Sequence, residues 1–345
     1  MSLHSEIHEQ PACLEQLLQE QRTATEKIAQ AINAKEIRFV FIAARGTSEN
    51  AARYANYLWG ATNGLPVALA APSLFTYYNR PPQLNGALVI GISQSGRSPD
   101  IVSVLVEGKR QGCLTVAITN EVDSPLAQAA DFVLDIEAGQ ENAVAATKTY
   151  TCELMAVAML SAAMKADDSL WQKLSRVPEW IESALANDGL FGLKVRQYLS
   201  MTSCAVLGRG FNFATAYEWA LKLKELTYIE AAPYSSADFL HGPIAIVDGG
   251  FPILAVVPAG AVYASTMDVL RELRDGRSAE LVVISDVQEA LDLAQTSLPL
   301  PAGIPEWVSP VISIVPAQLF CYHLALAKGC DTESPRGIRK VTETR

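Results

Sequence analysis

Ala87-Leu88-Val89-Ile90-Gly91-Ile92-Ser93-Gln94-Ser95-Gly96-Arg97-Ser98-Pro99-Asp100 joins an unbroken apolar run to a loop of serine and glycine. A short continuous apolar run bounded by turn residues reads as a strand buried on both faces, as strands are in parallel sheets. Beyond the loop, Ser98 suits an N-cap and Pro99 the first helical position, where no N–H partner is needed. The helix is predicted to end at Gln111, with Gly112 just after it. The N–H groups of such a helix start favour an anion, and Ser93, Ser95 and Ser98 add hydroxyl donors; a plain serine-glycine turn with an ordinary cap is the competing reading.

The same grammar of strand, glycine turn and helix extends outward. Phe39-Val40-Phe41-Ile42-Ala43 stops at Arg45-Gly46 before an alanine-rich helical stretch, and Leu114-Thr115-Val116-Ala117-Ile118 runs to Thr119-Asn120. Alternating β and α units predict an α/β protein, a parallel sheet between helices in three α/β/α layers. The second half repeats the first. Gly46 and Gly210 are 164 residues apart, as are Gly96 and Gly260, while Thr119 and Ser285 are 166 apart. This periodicity predicts two tandem copies of one domain. The expected division is a helical arm over 1–35, domains over 36–167 and 188–330 with a linker between, and a tail over 331–345. The copies differ where Val257-Pro258-Ala259-Gly260 replaces Ser93-Gln94-Ser95-Gly96. The second version has no side-chain donor and loses an N–H to proline, so only the first is expected to cradle a phosphate.

With 345 residues, two domains of ordinary size are expected, and half the residues are apolar. A net charge of -10 repels nucleic acid and anionic membranes, so neither is expected as a partner. The six cysteines form no CxxC pair and read as thiols in a reducing, cytoplasmic setting. The N-terminus lacks the pattern of a signal peptide, and the best apolar stretch, around Met155 to Met164, reads as too short for a membrane helix.

Three positions could carry proton chemistry. Glu225 follows Lys222 by three residues in a helical pattern, which reads either as a surface ion pair or as a working carboxylate. His241, in Leu240-His241-Gly242-Pro243, falls in a loop, where function and capping are both open. His323 lies in an apolar helix and reads as a core or interface residue. His4 and His8 have metal-compatible spacing, but no third ligand is apparent, and they read as a solvated helix face. From the residues alone, the segment 331–342 reads as a frayed polar tail.

Gly46-Thr47-Ser48, Ser93-Gln94-Ser95-Gly96, Gly139-Gln140-Glu141-Asn142-Ala143-Val144-Ala145-Ala146-Thr147-Lys148, Ala220-Leu221-Lys222-Leu223-Lys224-Glu225, His241-Gly242-Pro243 and Pro335-Arg336 with Lys340 follow one another in order. Over nearly its whole length the chain thereby resembles the sugar isomerase (SIS) domain family, specifically the isomerase half of glucosamine-6-phosphate synthase. The resemblance implies two tandem flavodoxin-like SIS domains. It implies that Gly46, Thr47, Ser48, Ser93, Gln94, Ser95 and Ser98 hold a sugar phosphate, with Val144 and Lys222 at the site. It makes Glu225 the base that moves a proton between C1 and C2, His241 the ring-opening group supplied across a homodimer interface, and Lys340 the tail residue that closes over the open-chain sugar. No metal or organic cofactor is implied.

Departures refine the expectation. Arg97-Ser98-Pro99 stands where the synthase has Glu-Thr-Ala, and Asp238-Phe239-Leu240 where it has Glu-Leu-Lys. The sequence carries no glutamine-hydrolysing segment, so the reverse direction is expected: glucosamine 6-phosphate and water giving fructose 6-phosphate and ammonia. Alternatives are a deaminase or deglycase for galactosamine 6-phosphate or a fructosamine 6-phosphate, a stand-alone phosphosugar isomerase, a synthase half served by a separate glutaminase, and a non-catalytic phosphosugar sensor. The acidic charge and the absence of a DNA-binding segment in the short arm weigh against the sensor.

Overall fold

A computed structural model describes residues 2–340. The chain forms two compact units. Among the described residues, the first comprises Ala12–Glu141, Lys148–Arg176 and 339–340; the second comprises 2–11, Asn142–Thr147 and Val177–Ile338.

In the first unit, β1 (Phe39–Ala43), β2 (Val67–Leu69), β3 (Ala87–Ile92), β4 (Leu114–Thr119) and β5 (Phe132–Asp135) form a sheet in the order β2-β1-β3-β4-β5. Every neighbouring pair is parallel. All residues of β3 and β4 are buried, which is why their sequences run apolar without alternation. The register sets Ala43 of β1 beside Gly91 of β3, and Ile92 of β3 beside Ile118 of β4. The chain order reverses between β1 and β3, so the loops leaving these two strands flank the crevice where open α/β sheets take ligands. The helix Pro99–Arg110 packs Ile101, Val104 and Leu105 against Val89 and Leu126. Gly108 makes this packing close, because a Cβ there would meet Val89 at 2.8 Å.

The second unit repeats the plan. Its strands β6 (Ser203–Gly208), β7 (Glu230–Ser235), β8 (Pro252–Val256), β9 (Glu280–Ser285) and β10 (Thr296–Pro299) lie in the order β10-β9-β8-β6-β7, again all parallel. Read from the other edge this is the first unit's order. Details repeat as well: Thr119 Oγ1 donates to the Gln94 carbonyl, and Ser285 Oγ to the Val257 carbonyl.

Three expectations are revised. The arm is three helices, Leu3–His8, Gln10–Glu20 and Arg22–Asn33, and it divides, since residues up to Pro11 belong to the second unit and those from Ala12 to the first. The stretch 167–188, expected as a linker, holds the helices Asp168–Leu174 and Val177–Leu185; Trp171, Leu174, Trp180 and Ile181 are buried there, and burial of such side chains orders the backbone. Among the described residues one helix, Ser309–Ala327, is long and apolar enough by composition to cross a membrane. The polar residues Ser313, Gln318 and His323 interrupt its apolar run. It packs on the helices Val177–Leu185, Asp188–Lys194 and Phe213–Thr227 and is 78% buried over its apolar window, as a core helix is.

Candidate active site

The loop after β3 is rigid where its backbone matters. Gly96 has φ +59°, and a Cβ there would fall 2.1 Å from Ser124 Oγ and 2.6 Å from Ser124 Cβ. Only glycine fits both the left-handed conformation and that approach. The Gln94 carbonyl accepts from Asn120 N–H (3.2 Å), and the Gly96 carbonyl from Leu126 N–H (3.0 Å). Ser93 Oγ accepts from Gly96 N–H (3.1 Å) and Ser95 Oγ from Arg97 N–H (3.4 Å). A hydroxyl that accepts from the backbone keeps its own proton to donate, which an anion can take. Ser98 occupies the N-cap position as expected, but its side chain makes no capping hydrogen bond.

The loop after β1 stands beside it in the same unit. Gly46, at φ +55°, opens the helix Gly46–Asn63, and Thr47 follows, half-buried. Ser48 is 8% exposed and donates its hydroxyl to Glu153 Oε1 at 2.8 Å. Arg45 binds the buried Asp100 carboxylate at 2.9 Å, fastening this loop to the helix that follows the loop after β3. A cleft of about 550 Å³ is lined by Gln94, Asn120, Asp135, Gly139 and Glu141, among others. Lys340 Nζ lies 2.5 Å from Glu141 Oε2. Glu141 has no exposed side-chain surface and also accepts from the Thr149 N–H and hydroxyl. The rest of the tail, 341–345, lies outside the described residues.

In the second unit the helix Phe213–Thr227 carries Glu218, Lys222 and Glu225. Lys222 is 1% exposed and bonds Glu225 Oε2 at 2.5 Å and Glu218 Oε1 at 3.3 Å; Glu218 is fully buried, and Glu225 alone is partly open, at 22%. The surface ion-pair reading of this segment is therefore incorrect: one helix face buries a cation between two carboxylates. Burial desolvates the ammonium and opposes its charge, but Glu225 and Glu218 outweigh this and raise the lysine well above its ordinary range. Three residues past Glu225, Tyr228 ends the helix in the left-handed conformation. Its hydroxyl accepts from Arg336 N–H at 2.9 Å, and its ring lies 4.0 Å beneath the Arg336 guanidinium. The segment read as a frayed tail is thus anchored at Arg336. His241 follows the short helix Ser236–Phe239, exposed, its N–H bonded to the Asp238 carbonyl.

Val144 is half-buried in the segment 142–147. That segment is held by the Glu6 carboxylate, which accepts from Asn142 N–H at 2.5 Å and from Ala143 N–H at 3.1 Å. Glu6, Glu141, Glu153 and Asp100 were not singled out in the sequence as groups holding these elements. Of these, Glu153 carries a signal, as a charged residue inside the apolar helical run 152–160; Glu6, Asp100 and Glu141 stand in helix starts or loops where a carboxylate is ordinary. His4 and His8 do not lie on a merely solvated face either: both face Asp188, which His323 approaches from the other side.

The counterpart loop of the second unit is already occupied by the protein's own acids. Ala259 N–H donates to the Asp286 carboxylate at 2.7 Å, and Ala261 N–H to the Glu306 carboxylate at 2.8 Å.

The SIS domain model matches twice, over residues 34–163 and 200–328. The chain belongs to the SIS domain family. A glutamine–fructose-6-phosphate aminotransferase (isomerizing) of Gloeobacter violaceus is 34% identical over 352 residues, covering 97% of this chain and 57% of that protein; the chain spans little more than half the length of this relative. A protein of Silicibacter pomeroyi, solved as a candidate phosphosugar isomerase, superposes with a TM-score of 0.86 at 32% identity, over 96% of this chain and 100% of its own. The C-terminal domain of the Francisella tularensis glucosamine-fructose-6-phosphate aminotransferase gives 0.88 at 29% identity, over 96% and 98%. The two SIS segments bracket the two sheets, so the duplication read from the glycine spacing is a duplication of the SIS fold.

Proposed function

We propose that this SIS protein is an isomerising deaminase, converting glucosamine 6-phosphate and water to fructose 6-phosphate and ammonia. In this reading Ser93, Gln94, Ser95 and Ser98 hold the phosphate, with Gly46, Thr47 and Ser48 beside them. His241, supplied by a second subunit of a homodimer, opens the ring. Glu225 takes the C2 proton and returns it to C1, while the aldehyde oxygen gains a proton and the C2 amine becomes an imine. Lys340 stabilises the developing oxyanion, and water hydrolyses the imine to the ketone and ammonia. None of the six cysteines is in a disulfide, which fits a reducing cytoplasm.

The observation that supports this most is Glu225. It is a carboxylate partly open to solvent whose position is fixed by a buried lysine, itself neutralised by a second buried carboxylate. A proton-shuttling base needs that combination of exposure and fixed geometry. The test is to supply glucosamine 6-phosphate and measure ammonia and fructose 6-phosphate together. Equal release, lost in Glu225→Gln, supports the reading; no ammonia at any enzyme concentration overturns it. Mixing Glu225→Gln with His241→Asn subunits tests the shared site, since partial recovery of activity requires the histidine to act across the dimer.

A second reading, the isomerase part of an aminotransferase, is favoured by the 34% identity to such a protein over 57% of its length. Formation of glucosamine 6-phosphate from fructose 6-phosphate only when glutamine and a glutamine-hydrolysing protein are added would select it.

A further inference from the structure

Three of the four histidines in the chain converge on one aspartate, and none belongs to the sugar-phosphate machinery. His4 Nε2 lies 2.7 Å from Asp188 Oδ2, and His8 Nε2 lies 3.1 Å from the same oxygen. His323 Nε2 reaches the other oxygen, Oδ1, at 2.5 Å. His4 and His8 come from one face of the helix Leu3–His8, Asp188 opens the helix Asp188–Lys194, and His323 lies in Ser309–Ala327. All four residues belong to the second unit.

The surroundings hold these rings in place. Tyr322 stacks on His4 with ring centres 4.8 Å apart. Gly192, one turn beyond Asp188, leaves room for His323, because a Cβ there would come within 3.1 Å of that ring. Leu3 and Ile7, between and beside the two N-terminal histidines, are completely buried. The helix presenting His4 and His8 is therefore docked by packing, and the histidines face Asp188 without needing an ion to bring them there.

We propose that His4, His8 and Asp188 form a binding site for a divalent transition-metal cation of the zinc type, with His323 holding the far oxygen of Asp188. Imidazole nitrogens with one carboxylate oxygen are the donor set of zinc, cobalt or nickel, whereas calcium and magnesium prefer oxygen alone. The ligating atoms of His4, His8 and Asp188 lie within 4.8 Å of one another. Bonds of about 2.0–2.2 Å in a tetrahedron place ligand atoms roughly 3.3–3.5 Å apart, so small ring rotations open the space. The ion would pin the N-terminal helix to its own unit. That helix carries Glu6, which holds Asn142 and Ala143, so the metal would also steady the segment bearing Val144.

The test uses the untagged full-length protein, stripped with EDTA and dialysed, then titrated with zinc chloride by calorimetry and with cobalt chloride by visible absorption. One zinc per chain is expected, with a rise in melting temperature that magnesium does not reproduce. Cobalt should give the visible bands of nitrogen and oxygen coordination. His8→Ala, at a side chain 39% exposed, should leave the metal-free melting temperature near the parent value and weaken zinc binding at least about tenfold. His323→Ala should do the same to binding from the opposite side. No saturable zinc binding, equal affinity in both variants and the parent, or a cobalt–thiolate charge-transfer band placing the ion on a cysteine would each overturn the proposal.

Discussion

The two SIS units build the same loop twice and use it differently. After β3 the backbone N–H groups of Gly96 and Arg97 rest on serine hydroxyls of the loop itself, which keep their own protons to donate. After β8 the N–H groups of Ala259 and Ala261 are taken by Asp286 and Glu306. A loop that ends a parallel strand and opens a helix favours negative charge whatever its sequence. In the second unit that preference is met by internal carboxylates; in the first, under the proposed function, it is met by the sugar phosphate. The second unit meanwhile carries the Glu218–Lys222–Glu225 group; under the proposed function, binding and proton chemistry fall to different copies of one fold.

The sharpest way to break this division is at Glu225. Glu225→Gln is expected to lower kcat by on the order of 10³-fold, as loss of a general base does, with KM for the sugar phosphate little changed; a rise in KM with kcat intact would move Glu225 from chemistry to binding. Lys222→Met comes next. It strands the fully buried Glu218 carboxylate, and breaking a buried pair from one side costs about 3–5 kcal/mol, to be read from denaturant unfolding. A loss below about 1 kcal/mol would mean that the carboxylates do not depend on the lysine.

Matched changes in the two loops sharpen the contrast further. Ser95→Ala should raise KM roughly tenfold or more, because a hydrogen bond to a charged group is worth about 1.5–3 kcal/mol. Glu306→Gln in the second loop should leave KM unaltered, and an equal rise in both variants would erase the distinction. The smallest effect is expected from the paired glycines. Both substitutions are strained, at φ +59° and φ +157°, but Gly96→Ala must displace Ser124, its Cβ included, whereas Gly260→Ala meets the far end of the longer Glu306 side chain. Thermal melts should show the larger loss for Gly96→Ala.

Much of the first loop could be read directly. Ser98 at the N-cap, Pro99 at the first helical position and Gly112 past the end give the helix Pro99–Arg110, because capping is chemistry among residues a few positions apart. Lys222 and Glu225 were likewise seen to share a helix face. Their burial was not visible, since Leu221, Leu223 and Leu226 fit an amphipathic surface helix as well as a buried one. The helix Ser309–Ala327 was missed as a long apolar element for the opposite reason, its few polar side chains being satisfied by partners distant in sequence, such as Gln10 for Gln318.

The sequence by itself determined the α/β alternation, the strand ends, the turn glycines and the repeat of 164 residues, because hydrophobic period and backbone conformation are local properties. Only the tertiary structure decided which side chains meet: Lys340 with Glu141, 199 positions away, His4 with Asp188, 184 away, and Glu306 with a loop 45 residues before it. Such pairs follow from how helices and sheets pack, and no periodicity along the chain records where a side chain ends up once its element is buried on one face rather than another.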